Sequence, residues 1–141
     1  MKYAPSIFVT VDIILLRESE LQKEILLIQR LREPFKDFWA LPGGFLEKGE
    51  TPEAGAKREL EEETSVSVKE LYQFRTYGNP DRDPRGHTIS IVYTGFVPYE
   101  TTVQGKDDAK EAQWFKLENL PPLAFDHALI IEEYKNSEWY Q

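Results

Sequence analysis

Arg58-Glu59-Leu60-Glu61-Glu62-Glu63 gathers more acid than any other stretch of this chain, beside one arginine. On a helix turning about 100° per residue, Glu62 falls about −60° and Glu63 about +40° from Glu59, so these carboxylates share one face. Glu61 points elsewhere, and Leu60 with Ala56 offers a separate apolar stripe. Clustered carboxylates repel unless a cation or a proton compensates them. A hard divalent cation such as magnesium does so well. It prefers oxygen ligands and shares its shell with phosphate oxygens and water, which suits phosphate chemistry. Taken alone, an acidic run is most often a solvated face.

The elements that must position this face are also legible. Thr51 suits an N-cap, Pro52 the first helical position and Glu53 the first turn, which predicts a helix to about Glu63. Residues 7–16 and 25–28 read as two strands joined by the polar segment 17–24. Residues 38–41 form a short strand candidate that stops at Pro42, Gly43 and Gly44, and a loop runs on through Lys48. Residues 66–74 and 88–97 read as strands separated by the loop 78–86, and 114–117 as a last strand. After Pro121 and Pro122, residues 124–135 carry Ala128, Ile131 and Tyr134 at helical spacing, with Asp126 as cap. Strands, helix, strands and helix in this order predict an α/β fold, a mixed sheet with helices on its faces, and one domain over residues 1–141.

Composition narrows the chemistry. The chain has 141 residues, 40% of them hydrophobic, enough for a core without staples. It has no cysteine, so disulfides, thiolate metal sites and cysteine nucleophiles are excluded. His87 and His127 lack a paired spacing and read as structural or capping residues. A net charge of −8 argues against broad nonspecific binding to nucleic acid, although a metal among carboxylates can invert the local sign. Asp12 interrupts the apolar residues near the N-terminus, and neither a signal peptide nor a membrane span is visible, which favours the cytoplasm.

Gly44, Glu50, Arg58, Glu59, Leu60, Glu62, Glu63 and Val66 stand at the spacings G-x5-E-x7-R-E-U-x-E-E-x-G-U, where U is a bulky aliphatic residue. Eight of the nine specified positions match, so the chain resembles the Nudix hydrolase family. Ser65 departs, standing where the family has a glycine that would supply a left-handed turn after the helix. The resemblance implies a Nudix fold, an α/β/α sandwich. It implies Mg2+, with Mn2+ as the alternative, held by Glu59, Glu62, Glu63 and a carbonyl near Gly44, with Arg58 orienting a glutamate. An ordinary helix-surface ion pair is the other reading of Arg58, and a simple turn that of Gly44. Glu50 looks like a loop anchor. Glu111, in a loop ahead of the last strand where the family often places an extra acidic residue, is the candidate general base, against a merely solvated acidic turn.

The loop 81–87, with Tyr77 before it and Phe125-Asp126-His127 near the end, resembles the ADP-ribose pyrophosphatase branch, and also the Nudix domain of transcriptional regulators that sense such ligands. Arg82 and Arg85 could grip phosphate or ribose oxygens, against the alternative of salt-bridged surface arginines. Phe35, Phe38 or Trp39 offer rings for a base or a partner subunit, and Trp39 is the substrate-binding candidate against core packing. The expected reaction is hydrolysis of a pyrophosphate bond in a nucleoside diphosphate linked to another group, such as ADP-ribose. A sensor without turnover and a nucleoside triphosphate hydrolase are the alternatives. The regulators carry a DNA-binding segment after the Nudix domain and this chain ends at Gln141, so DNA binding is not expected. A homodimer is expected by analogy alone.

Overall fold

The computed structural model describes residues 6–18 and 22–140. The start of the N-terminal stretch and the middle of the 17–24 connector therefore lie outside the described residues. The strands are β1 (Phe8–Glu18), β2 (Lys23–Arg30), β3 (Trp39–Ala40), β4 (Gly43–Phe45), β5 (Tyr72–Tyr77), β6 (Thr88–Val97) and β7 (Ala109–Lys116). The helices are α1 (Pro52–Thr64) and α2 (His127–Lys135), followed by a 3-10 turn at Glu138–Tyr140. The sheet is mixed: β1 runs parallel to β6, and the other pairings are antiparallel.

The strand β1 is apolar on both sides because both sides are covered. Its alternate residues Ile13 and Leu15 pack with Ala56 and Leu60 of α1, while Ile14 and Leu16 pack with Ile130, Ile131 and Tyr134 of α2. This is the expected α/β/α sandwich. Burial of Leu60 alone stabilises the α1 face by roughly 2 kcal/mol.

Helix α1 begins as expected, with the Thr51 hydroxyl accepting the Ala54 N–H at 3.2 Å. It ends at Ser65, which adopts φ 67°, the left-handed conformation that glycine would take without strain. The Val66 N–H then bonds back to the Thr64 hydroxyl, so the chain leaves the helix in a turn and enters the sheet only at Tyr72. The expected strand over 66–74 is corrected accordingly: Val66 and Leu71 are buried as turn and loop residues under α1. The last strand starts earlier than expected, at Ala109, because its pairing with β2 extends to Arg30. Helix α2 starts at His127; Asp126 makes no side-chain cap bond, and Ile130 is buried where Ala128 is exposed.

The site is created where two neighbouring strands part. The end of β1 pairs with β2 at Leu16 to Glu18, whereas its beginning pairs with β4 at Thr10 to Asp12. Beyond the fork β2 turns to β3 and β7, leaving a gap along β1.

Candidate active site

A cleft of about 400 Å³ opens at this fork. Its lining brings an acidic wall, Asp12 of β1 and Glu59 and Glu63 of α1 beside Gly43 and Gly44 of β4, together with Arg30 of β2, Arg82, Arg85 and Phe125, and with Asp83 and Asp108 among those arginines.

The acidic wall is organised by Arg58. Its guanidinium donates to both oxygens of Glu50 at 2.7 and 2.8 Å, to Glu59 at 2.7 Å, to Glu62 at 3.0 Å and to the Phe45 carbonyl at 3.2 Å. The planar fork of arginine can span such a set where a lysine ammonium could not. The Arg58 bonds, with a backbone N–H from Glu47, hold the Glu50 carboxyl down at about 2, and Glu50 in turn raises the affinity of Arg58 for its proton. Glu50 is therefore the anchor that fixes Arg58, and Arg58 fixes two of the three glutamates.

Glu59 lies directly against Gly44: a β-carbon there would come within 2.5 Å of its carboxylate oxygen. The residue type at position 44 is thus what allows the glutamate to sit beside the β4 main chain. Glu63 is 7% exposed and takes one hydrogen bond, from the Gly43 N–H at 2.8 Å. Burial pushes its pKa well above the usual carboxylate range, and the nearby Glu59, Asp12 and Asp108 add to the shift. Burial raises Glu59 as well, against the pull of Arg58. Glu62 is more exposed and is joined to the others through Arg58.

A divalent cation fits this wall in charge and in donor type. The glutamate oxygens and the Gly43–Gly44 main chain are hard ligands, and a buried carboxylate such as Glu63, which has no ion pair among the described residues, is what a cation would compensate. Among the described residues, no three acidic or imidazole groups are gathered tightly enough to enclose an ion as they stand. Two of the three glutamates are turned to Arg58 instead.

Two further residues complete the site, of which sequence reasoning gave Asp12 no role. Asp12 is 7% exposed and accepts a hydrogen bond from Ser90, while the Nδ1 of buried His127 accepts the Leu41 N–H at 3.0 Å. The other ring nitrogen of His127 lies 3.9 Å from Asp12. Burial lowers the His127 pKa, so the ring is held neutral. It ties the start of α2 to the segment leading into Gly43, as the structural reading of His127 expected. The signal for Asp12 was its isolation in an apolar strand.

Other expectations are corrected. Glu111 lies within β7 rather than in the preceding loop, is exposed, and pairs in register with Gln29; the acid this segment brings to the cleft is Asp108. Trp39 packs edge-on against Phe115 at 4.8 Å and against the α2-side core, not into the cleft. Arg82 does line the cleft, but Asp126 grips it at 2.7 and 2.9 Å and its side chain is 4% exposed, so it braces the corner before α2. Arg85 is paired with Asp83 at 2.8 Å and remains 39% exposed at the cleft.

Residues 7–134 match the NUDIX domain family. The chain is 51% identical over 115 residues to an ADP-ribose pyrophosphatase of Methanocaldococcus jannaschii, covering 82% of this chain and 68% of that one. It is 36% identical to the ADPR responsive transcriptional repressor NtrR of Acinetobacter baylyi over 92% of this chain, and spans only 53% of the repressor's length. The solved NUDIX domain of Shewanella oneidensis NrtR, complexed with ADP ribose, superposes with a TM-score of 0.88 at 34% identity, over 96% of this chain and 90% of that one. No helix of the described residues is long and apolar enough to cross a membrane. With a family match over most of its length and the box residues assembled on one cleft wall, the chain belongs to the Nudix family.

Proposed function

We propose that this chain, as a single Nudix domain, hydrolyses the pyrophosphate bond of ADP-ribose with the help of Mg2+ or Mn2+. The observation that carries the reading is a cleft, lined also by arginines, in which a buried glutamate, Glu63, stands beside Glu59, with a volume that suits a nucleotide. Glu59, Glu62, Glu63 and the main chain at Gly44 would hold the cation. When bound, the metal supplies charge neutralisation at phosphate and a lowered pKa for water. Arg58 orients Glu59 and Glu62, and Glu50 keeps Arg58 in place. Arg85 presents charge to the substrate, and Arg82 braces the loop that carries it. The 51% identity to the archaeal ADP-ribose pyrophosphatase supports the substrate.

The likeness to the repressor and to the ADP-ribose complex also favours a second reading, a Nudix domain that binds the nucleotide without turnover. Purified protein with magnesium, presented with ADP-ribose, other nucleotide sugars and nucleoside triphosphates, separates the readings. Turnover of ADP-ribose that is lost in Glu62→Gln supports the enzyme. Tight binding of ADP-ribose without any hydrolysis supports the sensor. Preferential cleavage of triphosphates overturns the substrate reading.

A further inference from the structure

The main chain that leads into Gly43 is held by three different elements in turn. Along β3 it meets the corner before α2: the Trp39 N–H donates to the Pro122 carbonyl at 3.1 Å, the Ala124 N–H donates to the Trp39 carbonyl at 2.8 Å, and Trp39 and Leu123 form a parallel bridge. The next N–H on that side, two residues on, belongs to Leu41, which is buried. The corner no longer runs alongside to take it, because the chain turns at Phe125, φ 52°, and enters α2. The Nδ1 of His127 accepts it at 3.0 Å, so an imidazole stands in for the missing carbonyl. A main-chain N–H left unpaired at this depth is costly, which makes the acceptor, rather than the bulk of the ring, the property that matters.

The consequence runs toward the glutamates. Pro42 has no N–H, and its carbonyl accepts the Ile13 N–H of β1 at 2.9 Å; the Gly43 N–H donates to Glu63 at 2.8 Å. Leu41, Pro42 and Gly43 are thus tied to α2, β1 and α1 by one bond each, and the proline ring stiffens the link between the outer two. A neutral imidazole whose Nδ1 accepts carries its proton on Nε2, and that nitrogen lies 3.9 Å from Asp12. Asp12 accepts from the Ser90 hydroxyl and fills the space beside Gly43, where a β-carbon would come within 2.5 Å of its carboxylate. Both ring nitrogens of His127 therefore bear on the segment 41–44.

We infer that His127, locked as the Nε2–H tautomer, is a positioning residue for the metal site: through Leu41 and Asp12 it sets where the Gly43–Gly44 main chain and its partner Glu63 stand, and thereby the affinity of the cleft for a divalent cation. The inference rests on the reading in which Glu59, Glu62, Glu63 and Gly44 hold the metal. Side chains that orient the ligands of an ion without touching it change metal affinity by roughly 10- to 100-fold.

Two measurements on the full chain test it. Nitrogen NMR of the metal-free protein is expected to show the His127 proton on Nε2, and a proton on Nδ1 would overturn the inference. Calorimetric titration with Mn2+, without nucleotide, reads the affinity itself. His127→Leu, which keeps an apolar side chain but offers no acceptor, is expected to weaken Mn2+ binding at least about tenfold. His127→Asn, whose side-chain oxygen can take the place of Nδ1, is expected to stay within about threefold of the wild type. Tyr134→Phe removes a different buried bond of α2, to the Thr94 hydroxyl at 2.7 Å, and is expected to leave Mn2+ affinity unchanged. If His127→Leu does not fold, His127→Gln replaces it, since its amide reaches the place of Nε2 and leaves Leu41 unpaired; the same loss is expected. Unchanged affinity in His127→Leu or its replacement, no rescue by His127→Asn, or an equal loss in Tyr134→Phe would overturn the positioning role. A wild-type chain that binds no Mn2+ would instead count against the metal-holding reading, and the positioning role would fall with it.

Discussion

Alanine at Gly44 and alanine at the adjacent Gly43 should fail in opposite ways. At Gly44 the new β-carbon would sit 2.5 Å from a Glu59 carboxylate oxygen and 2.7 Å from its carboxyl carbon. Ordinary contact is about 3.5 Å, so the carboxylate must withdraw by about 1 Å. It is the far end of a side chain rather than backbone, so the fold should lose no more than about 1 kcal/mol, or about 3 °C in Tm for a chain of this length. A displacement of about 1 Å at a reacting centre costs on the order of 100-fold in rate, so kcat for ADP-ribose should fall by that factor. At Gly43 the β-carbon would lie 2.1 Å from the Val11 carbonyl oxygen and 2.9 Å from the Asp12 α-carbon. Those atoms belong to the central strand β1 and cannot yield, so Gly43→Ala should cost about 3 kcal/mol or more and lower Tm by about 10 °C. Thermal melts beside steady-state rates with magnesium read both effects. Full activity in Gly44→Ala, or a loss of stability in it matching that of Gly43→Ala, would refute the placement of Glu59.

Ser65→Gly should relieve the left-handed strain at the end of α1, raising Tm by about 3 °C with kcat unchanged; a lower Tm would contradict the strain. Glu111→Gln should leave kcat within about twofold, because that side chain stays outside the cleft; a large loss in steady-state rate would restore it as a catalytic candidate. Burial raises the Glu63 pKa above its unfolded value, so its contribution to stability is present at low pH and lost as pH rises through the native value. Glu63→Gln should therefore raise Tm in metal-free buffer at neutral pH while lowering kcat at least about 100-fold; a lower Tm there would argue against an uncompensated buried charge. His127 has the opposite sign. Its native pKa is depressed, so the stability it supports is full above about pH 6.5 and is lost as pH falls toward the native value. In His127→Gln the fall in Tm between about pH 7 and pH 5 should flatten, and an unchanged slope would show that another group is responsible.

What could be read in the sequence was whatever is local. Thr51 and Pro52 announced the start of α1, and the spacing of Gly44, Glu50 and Arg58 to Glu63 within about two dozen residues carried the family and one wall of the cleft. The position taken by Ser65 was legible for the same reason, since a helix end dictates its own backbone. The rest of the cleft was legible only in part. Arg82, Arg85 and Phe125 lie in stretches that the resemblance marked, whereas Asp12 showed only as a lone charge in an apolar strand and nothing in its local sequence distinguishes Arg30 from a charge ending such a strand. The acidic segment 107–111 offered several carboxylates, and only the register of β7 against β2 decides that Asp108 faces the cleft and Glu111 does not. Residues 66–71 misled because their apolar positions serve the core from a turn and loop, where burial imitates a strand.

The most direct measurement is the initial rate of AMP release from ADP-ribose as Mg2+ is titrated, in the wild-type chain and in Glu62→Gln. The expected result is saturable activation by the metal in the wild type, with a rate at least about 100-fold lower in the variant at every metal concentration. AMP release that does not depend on metal, or that is equal in the two proteins, would contradict catalysis by a metal held on the glutamate face of α1.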